Sequence, residues 1–222
     1  TLFRSLFIIL LRFRKHKIAI SDIADIAKMY RQIALEKSAR DFHRILWRWN
    51  SNETLEHLRM TRVTYGIASS AFHSIRSMHE AANQCQNALA AEIVKRDFYV
   101  DDLVTGANSV PEAIEIFTNV SDCLKRSCFE LRKWSSNSVD VLEHIPDSLQ
   151  EKENLFFDKT HTIKELGVQW NPSEDIFIFE SFDLPNKPLT KRTLLSDSSQ
   201  IFIPLGLLAP VVIELKCFFQ QS

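Results

Sequence analysis

The sequence predicts an α+β fold, and three observations carry that expectation. Helix-like and strand-like stretches alternate along the chain without a regular βαβ rhythm. The stretch Phe98–Val104 reads as a tight β-hairpin, apolar on both arms, with Asp101 and Asp102 side by side at its tip. Close behind it, Ser109-Val110-Pro111-Glu112 reads as a helix start, with Ser as N-cap and Pro and Glu in the first turn.

In chain order, apolar residues at 2, 3, 6, 7, 10, 11 and 13 predict an amphipathic helix over Leu2–Lys15. Ile18–Ile26 is apolar enough for a strand buried on both faces. His43–Trp49 and His57–Val63 read as two strands joined by the polar turn Asn50–Thr54. Ala68–Val94, rich in Ala, Gln and Glu, predicts one long helix. The Asp-Asp hairpin occupies Phe98–Gly106, and the apolar spacing from Ile114 to Leu124 carries the next helix to about Arg126. Strands are expected at Glu130–Trp134, Thr162–Trp170 and Asp175–Glu180, and a proline-interrupted helical stretch over Leu189–Ser222. The polar run between the second helix-strand unit and the last strands makes 136–159 the expected linker, dividing 1–135 from 160–222.

Composition narrows the functional classes. The chain has 222 residues, 45% hydrophobic and 25% charged, which is ordinary for a globular protein. Its net charge of −1 does not announce a nucleic-acid binder. Basic residues do cluster locally, at Arg12–Lys17, Lys125-Arg126, Arg132-Lys133 and Lys191-Arg192, as either solvated faces or phosphate tracks. Four cysteines without CxxC spacing and seven scattered histidines argue against a zinc site or a disulfide framework. Leu6–Leu11 is too short to span a membrane, and Pro204, Gly206 and Pro210 break the run Ile201–Ile213, so no membrane partner is expected.

The Asp-Asp pair carries the chemistry. Adjacent aspartates repel, and turn chemistry asks for Asn-Gly or Asp-Gly instead. A divalent cation does ask for them, because Mg²⁺ favours hard oxygen ligands. A third carboxylate is needed, and Asp25, closing the apolar strand, is the preferred candidate, with Asp22 its rival. An acid ending such a strand is costly to bury unless it is paired or ligates a metal.

Several segments together resemble the reverse transcriptases of retroelements, specifically the BEL/Pao retrotransposons. Ala24–Ile33 (ADIAKMYRQI) is similar to the family's motif A, and Arg44–Arg48 (RILWR) to the hairpin after it. Val63–Phe72 (VTYGIASSAF) resembles motif B and Phe98–Asp102 (FYVDD) motif C. Phe129–Asn137 (FELRKWSSN) and Leu166–Asn171 (LGVQWN) resemble motifs D and E. Leu10–Ile20 looks like the approach to the first catalytic strand, and Thr190–Leu208 like the stretch that follows in BEL/Pao polyproteins.

The resemblance implies a polymerase palm, an antiparallel sheet backed by helices, with partial fingers over 1–135 and a primer-grip hairpin with a partial helical thumb over 160–222. It implies RNA-directed DNA synthesis with two Mg²⁺ (or Mn²⁺) ions held by Asp25, Asp101 and Asp102 and the Ile26 carbonyl. Tyr30 would lie under the sugar of the incoming deoxynucleoside triphosphate and exclude a 2′-hydroxyl; as an aromatic after a strand it also reads as core packing. Tyr65 and Gly66 would lie under the base, with close backbone approach expected at Gly66. Leu166, Gly167 and Val168 would grip the primer, or form an ordinary β-turn. Trp134 and Trp170 read as core anchors. Implied partners are an RNA or DNA template with its primer and the rest of the Pol polyprotein, including ribonuclease H and integrase, in a cytoplasmic retrotransposon particle.

The chain departs from the family where Ala71 replaces proline, where Ser127 and Cys128 replace glycines, and where Ile203 replaces an acid before Pro204. These departures imply lost turn geometry. The chain opens on Thr1, a basic fingers segment is missing, and the isolated segment is not expected to polymerise alone. Two other readings stand beside polymerase: a remnant that keeps the fold without catalysis, and the element's aspartic protease, for which Asp197-Ser198-Ser199 lacks the required glycine.

Overall fold

A computed structural model describes residues 6–22, 26–151, 163–165 and 168–178, with isolated positions between 190 and 218. The chain begins with α1 (Leu6–Lys15), β1 (Ile18–Asp22) and a one-turn helix α2 (Met29–Gln32). A 3₁₀ turn at Lys37–Phe42 leads into a hairpin of β2 (Arg44–Trp47) and β3 (Glu56–Arg59). Helices α3 (Ser70–Asn83) and α4 (Ala88–Arg96) precede a second hairpin, β4 (Phe98–Tyr99) and β5 (Asp102–Ala107). Then come α5 (Val110–Lys125), β6 (Trp134–Ser136) and α6 (Val139–Leu142), followed by β7 (Ile163–Glu165), β8 (Val168–Asn171) and β9 (Ile176–Ile178). The mixture of helices with antiparallel strands is the α+β class that the sequence predicts.

The main sheet runs β4-β5-β1-β6, and every pairing in it is antiparallel. Because strand side chains alternate between faces, Ile20 and Leu103 join the large core formed with α3, α4 and α5. Ala19 and Val104 go to the opposite face, where Ile9, Leu10 and Phe13 of α1 cover them. Trp170 of β8 completes this second core and meets the Phe13 ring edge-on at 5.2 Å. Trp134 is equally buried in the first core, edge-on to Phe117 at 5.0 Å. Both tryptophans are core anchors, as their sequence context suggests.

Several sequence expectations need correcting. Ala68–Val94 is two helices, because Asn87 takes an extended conformation and its side chain accepts from the Ala90 amide, starting α4 afresh. The strand expected over Glu130–Trp134 begins only at Trp134. The stretch expected over Thr162–Trp170 contains two strands of one antiparallel pair. The front of the expected linker, 136–159, is packed structure: Ser136 lies in β6 and donates to the Ala19 carbonyl, while Val141, Leu142 and Ile145 enter the large core. Polar composition misleads there because the serine and asparagine groups are hydrogen-bonded into the sheet edge, Asn137 accepting from the Ala19 amide. Leu2–Ser5 and most of Leu189–Ser222 lie outside the described residues.

The lost glycine at Cys128 does not remove its turn. Cys128 sits at φ 62°, the Phe129 amide donates to the Leu124 carbonyl, and the Cys128 amide donates to the Lys125 carbonyl. This is the Schellman closure of a helix C-terminus, normally built on glycine. Ala71 likewise does little harm, since it lies in the first turn of α3, where any good helix former serves.

Candidate active site

The β4–β5 hairpin turns through Val100 and Asp101, with Tyr99 paired to Asp102. Val100 has φ 59°, while Asp101 is not among the left-handed residues. A positive φ at the first central position alone is what a type II′ turn requires, and glycine normally supplies it. A β-branched residue there stores strain on the order of 1–3 kcal/mol. Asp101 and Asp102 at this tip are half-buried, and the strain persists because the surrounding contacts impose it.

What holds the hairpin from behind is Asp97, which is not among the residues the motif pattern names. Its carboxylate, 1% exposed, accepts from Arg12 Nε at 2.8 Å, from Arg96 Nε at 2.9 Å and from Thr105 Oγ1 at 2.9 Å. Arg96 closes a second contact to the other Asp97 oxygen at 2.9 Å, and Arg12 also donates to the Arg96 carbonyl at 2.6 Å. One carboxylate thereby ties α1, the end of α4 and both strands of the hairpin together. The hydrogen bonds from Arg96 to Asp97 raise the Arg96 pKa. A signal for it exists in Lys95-Arg96-Asp97-Phe98, an acid set between a basic helix end and a buried strand. Gly106 adds a steric constraint: a Cβ there would lie 2.7 Å from both His16 Cβ and the Ile18 carbonyl, so only glycine lets β1 and α1 close on β5.

The other candidates divide into those the structure brings together and those outside it. Asp25 lies outside the described residues. Its neighbours do not: β1 ends at Asp22, paired with Leu103 beside Asp102, and Ile26 is fully buried in the large core. Tyr30 and Tyr65 meet edge-on with ring centroids 4.8 Å apart, joining two separately predicted nucleotide residues. The Ser70 hydroxyl donates to the Thr64 carbonyl at 2.6 Å and ties the Tyr65-Gly66 turn to the start of α3. Gly66 has φ 82°, and a Cβ there would meet nothing within 4 Å, so backbone conformation rather than crowding within the chain calls for glycine. Leu166 and Gly167 lie outside the described residues; Val168 is the first residue of β8, whose pairing with β7 makes the hairpin.

Among the described residues no group of three His, Cys, Asp or Glu side chains is placed to hold a metal ion. Among them, too, no helix is long and apolar enough to cross a membrane. Asp101 and Asp102 provide hard oxygen donors on a constrained turn, which is the donor chemistry that Mg²⁺ takes.

Comparison with known families gives one match. Residues 190–222 match the family model described as Pao retrotransposon-like RNaseH-like domain. The match supports a Pao retrotransposon origin and points to a fragment of a retroelement polyprotein related to nucleic-acid-processing enzymes. It covers a part of the chain separate from the hairpin, and an RNaseH-like domain is not a polymerase palm. No curated protein matches the chain.

Proposed function

We propose that residues up to the β7–β8–β9 sheet are the palm and flanking segments of an RNA-directed DNA polymerase from a Pao-type retroelement. The observation that supports it best is the β4–β5 hairpin, with Asp101 and Asp102 at a strained tip and β5 paired to the strand leading to Asp25. Asp25, Asp101 and Asp102, with the Ile26 carbonyl, would hold two divalent cations. Bound there, such ions would supply positive charge at the primer 3′-hydroxyl and at the pyrophosphate leaving group. The residues of the chain position the reactants. Tyr30, braced edge-on by Tyr65, would fill the space beside the sugar 2′ position. Gly66 has open space where a Cβ would stand, and would let a base lie against the backbone. Val168, with Leu166 and Gly167, would hold the primer end. Template, primer, deoxynucleoside triphosphates and the remaining Pol domains are the partners of this reading, in a cytoplasmic particle.

Primer extension by the polyprotein that carries this segment tests the proposal. Asp101→Asn should abolish extension, because a neutral amide does not balance the cation charge. Near-normal extension by that variant would refute the role. A second reading concerns residues 190–222 alone, as part of an RNaseH-like domain, and the family match favours it.

A further inference from the structure

A cleft of about 290 Å³ lies between α2 and the strand running from β3 toward Tyr65. Arg31, Arg59 and Arg62 line it, with Thr61, Thr64 and Tyr65, and no acid is among its lining residues. Three arginines from two separate stretches of a chain whose net charge is −1 therefore line one cleft. Arg59 shares Asp41 with Arg44, at 3.2 Å and 2.8 Å. Hydrogen bonds from Arg44 and then Arg59 hold the Asp41 carboxyl below the usual carboxylate range, so that pair stays charged. Among the described residues, neither Arg31 nor Arg62 has a carboxylate partner; Arg62 donates to the Gln32 carbonyl at 3.1 Å, which aims it without neutralising it.

We infer that this cleft is a phosphate-binding site, holding the phosphodiester of a nucleic-acid strand or the phosphates of a nucleoside triphosphate. Arginine's planar fork matches phosphate oxygens two at a time, and clustered arginines are the usual recognition device for phosphate. The volume sits at the small end of the roughly 300–1,000 Å³ of small-molecule sites, which suits a phosphate or two better than an enclosed cofactor. Tyr65, 63% exposed at the edge of the cleft, offers a ring on which a base can stack. An acidic peptide would satisfy the arginines but leave that ring unused. The nucleic-acid identity of the ligand rests on the polymerase reading; the anion site rests on the arginines.

The test uses the 222-residue chain and measures affinity for a labelled single-stranded oligonucleotide, for tripolyphosphate and for a polyglutamate peptide of matched charge. The double variant Arg31→Gln/Arg62→Gln should bind the phosphate ligand about tenfold or more weakly, since hydrogen bonds between charged groups are the strong ones. If the strand is the ligand, the log–log salt slope should also shrink by about 1.4, at roughly 0.7 for each phosphate no longer neutralised. If only tripolyphosphate binding falls, the triphosphate is the ligand. Lys37→Gln/Arg76→Gln, an equal charge change elsewhere on the surface, should leave both affinities near wild type. Equal losses in the two double variants, no loss in the first, no phosphate binding by the wild type, or peptide binding as tight as oligonucleotide binding would each overturn the inference. These affinities are measured without divalent cation and the polymerase reading by primer extension, so failure of that reading and failure of the cleft are separately visible.

Discussion

Two hairpins meet opposite fates in this molecule. The β4–β5 hairpin is sheet-paired to β1, and every residue of β5 after Asp102 is buried. Among the described residues the β2–β3 hairpin forms a two-stranded sheet of its own, and all eight of its strand residues are exposed, including Ile45, Leu46 and Trp47. Composition separates them in part, because β3 carries Glu56, His57 and Arg59 where β5 carries Leu103, Val104 and Ala107. The β4–β5 hairpin also has a buried charged anchor and a close backbone contact, Asp97 and Gly106, which fix it against α1 and β1. A two-stranded hairpin without such support is marginal in water. Precision at Asp101 and Asp102 thus depends on groups that never reach the tip.

Removing the anchor should do the most damage. Asp97→Ala leaves Arg12 and Arg96 without their shared carboxylate and should destabilise the fold by about 3 kcal/mol, the scale for breaking a buried ion pair. Urea unfolding followed by circular dichroism measures it, and a loss below about 1 kcal/mol, the scale of an exposed pair, would mean the network is decorative. Gly106→Ala comes next, at about 2 kcal/mol, because the new Cβ must displace the Ile18 carbonyl. If its unfolding midpoint matched wild type, the close approach would not constrain the sheet.

Smaller effects test the strained turns and the unsupported hairpin. Cys128→Gly should stabilise by about 1 kcal/mol, since glycine adopts the left-handed C-cap without a Cβ penalty. A destabilised variant would show that the thiol contributes packing that outweighs the strain. Trp49→Ser, at a side chain 73% exposed beside β2, should change stability by less than about 0.5 kcal/mol. A large loss there would mean that the outer hairpin is packed in solution, and the contrast between the two hairpins would fail.

The fold class is legible in the sequence because periodicity and capping are local. Ser109 is the N-cap of α5 as expected, its side chain accepting from the Glu112 amide. The hairpin at Phe98 is legible from its apolar arms and acidic tip. Asn87 is easily passed over because one capping residue interrupts an otherwise helical composition. The serines at 135 and 136 read as polar connection because their hydrogen-bond partners lie more than a hundred positions away. Asp97 is hidden for the same reason: two of its partners are adjacent in sequence or on the next strand, but Arg12 comes from the far end of the chain. The Tyr30–Tyr65 contact joins residues that the motif pattern names separately and that no periodicity connects. Local chemistry is readable, and the long-range contacts that aim it are not.

The central proposal is that the hairpin tip holds divalent cations with Asp25, and manganese binding by the 222-residue chain tests it most directly. Electron paramagnetic resonance of free Mn²⁺, titrated with wild type, Asp101→Asn and Asp25→Asn, reads occupancy without requiring catalysis, while circular dichroism confirms that each variant is folded. The account predicts bound Mn²⁺ in the wild type and at least a roughly tenfold weaker titration in either folded variant, because each removes a charged oxygen ligand. Wild-type chain that binds no Mn²⁺, or variants that titrate as wild type does, would contradict it.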